Sequence, residues 1–320
     1  ASSSITLDGT ATLPTSDTAC LSSVYYVLAQ GDGGAGSKIY VADAADTTFD
    51  NQSIRTITVT SPGPGQLTYT LDDPTKPGVA YAGSPRLTGN ADGTGAAARF
   101  SFGTSCGANL TNSGSGNFTF VADTNNNLVR AIYENGQVQT LRDNSATDLA
   151  FDQPRGIAAQ RDSNGNMIAL FVSDTGTTTK KLRKFTPNLN GTFTEVTSFN
   201  VSGGSYPASP NLRGLAVDHA AGYLYATDYT ANKVFKINTE TGACTDFVAD
   251  TGAGPIGVAV DASKGELWVA VSDGKQVKKY SLTDGSLQLT VGTGLAGWVD
   301  GPSDIAAFGA PTGIAVGRYG

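Results

Sequence analysis

A chain of 320 residues with 40 glycines and only 15% charged side chains is long enough to bury a large core. It favours many short strands joined by tight turns over long helices. A net charge of −7 supplies no overall basic field for a nucleic acid. No apolar run approaches the roughly 20 residues that a membrane-spanning helix needs.

The chain starts at Ala1 with a Ser/Thr-rich stretch and no initiator Met, as expected for a mature secreted protein whose signal peptide has been removed. Residues 1–22, with a strand-like Ile5–Leu13, are expected to contribute to closure of a domain spanning residues 23–320. A repeat then begins. Its first copy reads as strands at Val24–Ala29, Ile39–Asp43, Ile54–Ile57 and Leu67–Leu71. A long crossing from about Asp73 to Cys106 follows. The second copy has strands at Phe118–Asp123, Leu128–Ile132 and Val138–Leu141. The third has Gly156–Ala159, Ala169–Asp174, Leu182–Phe185 and Phe193–Val201. The fourth has Gly214–Asp218, Tyr223–Asp228, Lys233–Ile237 and Cys244–Ala249. The fifth has Gly257–Asp261, Glu266–Val271, Gln276–Tyr280 and Leu287–Val291. A sixth starts at Gly313–Val316, shortly before Gly320.

Each copy opens on a glycine, at Gly107, Gly156, Gly214, Gly257 and Gly313, spaced by 43 to 58 residues as four-stranded propeller blades are. Asn135-Gly136, Asn190-Gly191 and Asp284-Gly285 mark hairpins between third and fourth strands. The segments Phe118–Arg130, Phe151–Ala158 and Phe308–Val316 resemble the NHL repeat, as do the linkers Asn90–Phe100 and Asp300–Phe308. The resemblance spans roughly residues 23–320. It implies an all-β fold, a β-propeller with six blades expected, five of them complete. The sixth is incomplete and is expected to be finished by a continuation of the natural chain past Gly320, or else closed by the chain ends or by strand addition from a partner. NHL propellers include enzymes, RNA binders, receptor domains and scaffolds, so the resemblance leaves function open.

Asp43, Asp123, Asp174 and Asp228 each end a second strand, with Asp273 near the equivalent place. Recurrence in every blade reads as turn hydrogen bonding and not as a cation-binding ring. The only histidine, His219, reads as a surface-turn residue, and one histidine cannot supply the several that NHL-type amidating lyases use. The third-strand residues Arg55, Arg130, Arg183, Lys184, Lys236, Lys278 and Lys279 read as a solvated basic face. No catalytic or metal-ligating residue is singled out, and no cofactor beyond a candidate Ca²⁺ in the central channel.

Five sequons begin at Asn51, Asn109, Asn117, Asn190 and Asn200, which suits N-glycosylation in a secretory pathway. Cys20 and Cys106 precede the first strands of consecutive blades and form the expected disulfide, leaving Cys244 as a buried outer-strand residue. Tyr81, Arg86, Asn90 and Asp92, in the longest crossing, are the candidate binding loop. The function expected is a secreted, extracellular or cell-surface glycoprotein that acts as a structural or protein- or glycan-binding module. A calcium-dependent propeller hydrolase of the lactonase or esterase kind and a propeller lectin are the alternatives.

Overall fold

The computed structural model describes residues 23–30, 38–45, 50–63, 66–71, 82–84, 87–102, 110–112, 118–178 and 180–316. Five antiparallel sheets follow one another along the chain. Blade one contains β1 (Ser23–Gln30), β2 (Lys38–Ala45), β3 (Asp50–Gly63) and β4 (Gln66–Leu71), and a short β5 (Ala82–Gly83) pairs back onto β3. Blade two takes β6 (Gly93–Thr94) as its outermost strand, beyond β7 (Leu110–Asn112), β8 (Phe118–Asp123), β9 (Leu128–Tyr133) and β10 (Gln137–Thr140). Blade three has β11 (Pro154–Arg161), β12 (Met167–Thr175), β13 (Lys180–Pro187) and β14 (Phe193–Glu195). Blade four has β15 (Leu212–Asp218), β16 (Tyr223–Asp228), β17 (Lys233–Asn238) and β18 (Cys244–Val248). Blade five has β19 (Pro255–Asp261), β20 (Glu266–Val271), β21 (Gln276–Ser281) and β22 (Leu287–Val291).

The core lies between blades, because a strand's side chains alternate between two faces and both are covered. In β12, Leu170 and Val172 face Phe120 and Val129 of blade two, while Phe171 faces Leu215 and Leu224 of blade four. Likewise Leu267, Val269 and Val271 of β20 join Tyr225, Val234 and Val248 of blade four.

The inner strands explain the leading glycines. In β11, β15 and β19 the register slips by a β-bulge at Gly156, Gly214 and Gly257. The next blade's inner strand runs directly against each bulge. A Cβ on Gly156 would meet the Arg213 carbonyl, one on Gly214 the Ile256 carbonyl, and one on Gly257 the Thr312 carbonyl. Each obstacle is the residue just before the next leading glycine. In two blades a hydroxyl fastens this contact. Thr227 Oγ1 accepts from the Gly214 N–H at 2.9 Å and donates to the Ile256 carbonyl at 2.7 Å. Ser173 Oγ accepts from the Gly156 N–H at 2.6 Å and donates to the Leu212 carbonyl at 3.2 Å. Blade five has Ala270 at that position, so the hydroxyl is missing there.

Thr312 and Ile314 pack against Gly257, where an inner strand of a sixth blade belongs, yet residues 313–316 enter no strand ladder among the described residues. The fourth strand of blade three is also shorter than the expected Phe193–Val201. It stops at Glu195 because a turn returns the Phe199 N–H to the Val196 carbonyl at 3.0 Å. Ser202 then bridges to Ala243 of blade four. Ile5–Leu13 and Gly107 lie outside the described residues.

Gly214→Ala is expected to force the inner strands of blades four and five apart and to cost about 1–3 kcal/mol or more. A lowered urea midpoint checks it.

Candidate binding surface

The carboxylates that end the second strands are fully engaged in structure. Asp123 accepts from the Ser101 N–H at 2.8 Å, from Asn126 Nδ2 at 2.9 Å and from Arg130 Nη1 at 3.0 Å. Asp174 accepts from the Asp152 N–H at 2.6 Å and Arg183 Nη1 at 3.0 Å. Asp228 accepts from the backbone N–H groups of Asn211, Thr230 and Ala231 at 2.9–3.0 Å. Burial pushes the carboxyls of Asp123 and Asp174 upward, against the lowering pull of these donors. Blade five departs from the pattern. Val271 pairs with Pro255 as Asp228 pairs with Leu212, so valine holds the position, and Asp273 instead accepts from Tyr229 Oη at 2.7 Å.

The basic third strands are not one solvated face. Arg130 is 0% exposed and donates to the Arg99 and Ala91 carbonyls as well as to Asp123 and Asp92, with its guanidinium 5.3 Å from the Phe100 ring centroid. Arg183 binds Glu195 through Nε and Nη2 and lies 4.7 Å from the Phe151 centroid. The crossings into blades two and three thus each bring a phenylalanine under an arginine of the blade that follows. Arg55 is buried too. Lys184, Lys236 and Lys279 sit one position further on and face the other way. Each overhangs the aromatic paired across from it, Phe171, Tyr225 or Trp268, at 5.5–6.0 Å.

Two clusters have the residue types of a nucleophile or base. Lys233 Nζ donates to Ser205 Oγ and to Asp246, both at 2.6 Å, and Ser205 donates to Asp246 at 2.7 Å. These donors hold the Asp246 carboxyl down at about 2. The serine proton therefore points at a very weak base, and the lysine is committed to an ion pair. His219 Nδ1 accepts from the Arg161 N–H at 3.3 Å, and desolvation together with the Arg161 charge lowers its pKa. Among the described residues no three His, Cys, Asp or Glu side chains converge as a metal site would require.

Asn190 and Asn200 are exposed. Asn190 Oδ1 accepts from the Thr192 hydroxyl at 2.7 Å, and Asn200 Nδ2 donates to the Ser198 carbonyl at 3.2 Å. Asn51 lies in β3, and Asn109, Asn117, Cys20, Cys106, Tyr81 and Arg86 lie outside the described residues. Cys244 is free and buried at the start of β18. Asn90 is exposed, whereas Asp92 is a structural latch. It accepts from Arg130 Nη2 at 2.6 Å and from Thr140 through both backbone N–H and Oγ1 at 3.0–3.1 Å.

A second group of exposed residues lies from β22 through the second long crossing, the crossing that carries Trp298 and Asp300 and that, like the first, is a place where recognition is expected. Leu287, Leu295, Trp298, Val299 and Ile305 are all large, apolar and exposed, Trp298 at 94%. A cavity of ≈ 300 Å³ opens between Trp268 and Val277 of blade five and residues 314–316.

No family model and no curated protein matches this sequence. Among solved structures, one of a nidogen/laminin complex superposes with a TM-score of 0.54 at 15% identity, covering 92% of this chain and 84% of that one. The fold is a β-propeller. A catalytically inactive virginiamycin B lyase from Staphylococcus aureus with quinupristin aligns at a TM-score of 0.48 and 15% identity, over 86% of this chain and 71% of that one.

Among the described ion pairs, Asp123–Arg130 is the most deeply enclosed. Arg130→Ala strands a buried carboxylate and is expected to cost about 3–5 kcal/mol. Urea unfolding should show it, with Lys181→Ala, an exposed partner of Glu195, nearly neutral by comparison.

Proposed function

We propose that this propeller is a non-catalytic protein-binding module of an extracellular or surface assembly, with N-linked glycans on its exposed sequons. The observation that carries the reading is the apolar strip between residues 287 and 305. Single exposed hydrophobic residues are ordinary, but this group includes the side chain of Trp298, left almost wholly in water. Such a strip gains free energy by being covered, and an aromatic anchor is the usual centre of a protein contact.

Three further observations support the reading. The polar residues that might have done chemistry are committed to ion pairs and turns inside the blades. One of the solved structures that the chain resembles is of a nidogen/laminin complex, an assembly of proteins. The five sequons and the Cys20–Cys106 pair suit a secreted chain.

Two measurements test it. In the assembly isolated from its native source, the amides of residues 295–305 should exchange slowly, and should exchange freely once the protein is separated. Equal exchange in both states overturns the binding reading. Made in a eukaryotic secretory host, the protein should lose mass on treatment with an N-glycosidase, and Asn190→Gln and Asn200→Gln should each remove one glycan. An unmodified chain would overturn the glycoprotein assignment.

A further inference from the structure

One position on the outer side of the third strand is filled in every blade but the third. Counting one residue on from the partners of Asp43, Asp123, Asp174, Asp228 and Val271, the third strands place Ile54, Val129, Leu182, Val234 and Val277 at equivalent positions. In blade one β5 covers the outer side, with Ala82 opposite Ile54. In blade two the Leu141 N–H donates to the Val129 carbonyl at 2.9 Å. In blades four and five Val248 stands opposite Val234, and Val291 opposite Val277.

Blade three has no strand there among the described residues. β14 pairs with β13 only from Phe185 to Pro187, and the Val196 N–H makes the last contact, to the Lys184 carbonyl at 2.8 Å. Alternate residues of a strand turn their N–H and C=O to the same side, so those of Leu182 face outward like those of Lys184. The chain then turns away, and the crossing that follows leaves a gap of ≈ 570 Å³ along residues 180–184. Tyr206 Oη lies near the Leu182 backbone but completes no hydrogen bond, so the crossing covers this edge without pairing with it. For a chain of net charge −7 the lining is strongly basic. Lys180, Lys181, Arg183 and Lys184 border the gap against one carboxylate, Glu195. Lys181 and Arg183 share Glu195, and Lys184 donates to the Thr239 carbonyl. Lys180 is exposed, with no hydrogen-bond or ion-pair partner among the described residues.

We infer that this gap receives an extended acidic segment of a partner protein, which lies along β13 as the outer strand that blade three lacks. The site is separate from the apolar strip at residues 287–305 and does not depend on it. The outward N–H and C=O of Leu182 supply the main-chain pairing that holds an added strand at a sheet edge. Charge supplies the selection. Lys180 and Lys181 leave β13 on opposite faces, so carboxylates at successive positions of the added strand each meet an ammonium, while a basic strand is repelled. Residues 180–183 extend about 13 Å, which gives room for about four residues of the incoming strand.

An end-blocked peptide that alternates glutamate and threonine over eight residues probes the gap, using the full chain made in a eukaryotic secretory host. Calorimetry should show saturable binding, and hydrogen exchange should slow at residues 180–184. The same peptide N-methylated along its backbone should not bind, and neither should one with lysine in place of glutamate. Lys180→Glu together with Lys181→Ala should weaken binding by about tenfold. Both side chains are exposed, so this variant should keep its near-ultraviolet circular dichroism. No binding overturns the inference. Equal binding by the N-methylated peptide overturns it as well, because charge alone would then hold the ligand. So does a heparin fragment that protects these amides where the peptide does not, since the occupant would then be an anionic sugar. Asn200 also borders the gap. Binding that appears only after N-glycosidase treatment would make its glycan the occupant, and a concentration-dependent dimer that protects the same amides would make it a second copy; either overturns the inference. None of these outcomes alters the protection expected at residues 295–305 in the native assembly, so the two sites stand or fall separately.

Discussion

Everything in this molecule is organised around a contact between backbones. At each bulge of an inner strand, the chain presses against the carbonyl that precedes the next bulge, with no room for a single methyl group. That contact sets the distance between neighbouring blades near the axis. The distance in turn decides which side chains further out can interleave. Large residues such as Phe171, Tyr225 and Phe235 fill the widening wedge between sheets, while glycine and alanine stay near its apex. In blades three and four the hydroxyls of Ser173 and Thr227 satisfy the amide at the bulge glycine.

Much of this was legible in the residues. The spacing of the leading glycines, the apolar runs ending in aspartate and the Asn-Gly hairpins gave five blades in the right places. What the repeat could not show was the difference between adjacent basic residues. Arg183 and Lys184 look alike in a sequence, but a strand sends them to opposite faces. One is drawn between Asp174, Glu195 and a phenylalanine, the other lies over Phe171. Counting parity from the paired aspartate would have separated them. Asp92 was similarly deceptive. Its position in a long crossing suggested recognition, and only the tertiary fold reveals Arg130 and Thr140 beneath it. Trp298 could be placed in a crossing suited to recognition, but the exposure of Leu295 and Ile305 beside it in sequence follows no periodicity.

The same repetition that builds the ring explains the scarcity of reactive groups. Aspartate, arginine and lysine recur because each blade must tie a crossing, a second strand and a third strand together. A residue used this way has its lone pairs and protons already assigned. Where blade five replaces the hydroxyl and the aspartate with Ala270 and Val271, those ties are missing, and this is the blade whose far face stands open.

Cys244 brings a consequence of its own. Burial pushes its thiol up to about 12, so at neutral pH only about one molecule in 10⁵ holds the thiolate that attacks a disulfide. Two other cysteines share this chain, and a reactive third would invite exchange among them. Buried at the start of the outer strand of blade four, it is kept out of such exchange in the folded protein.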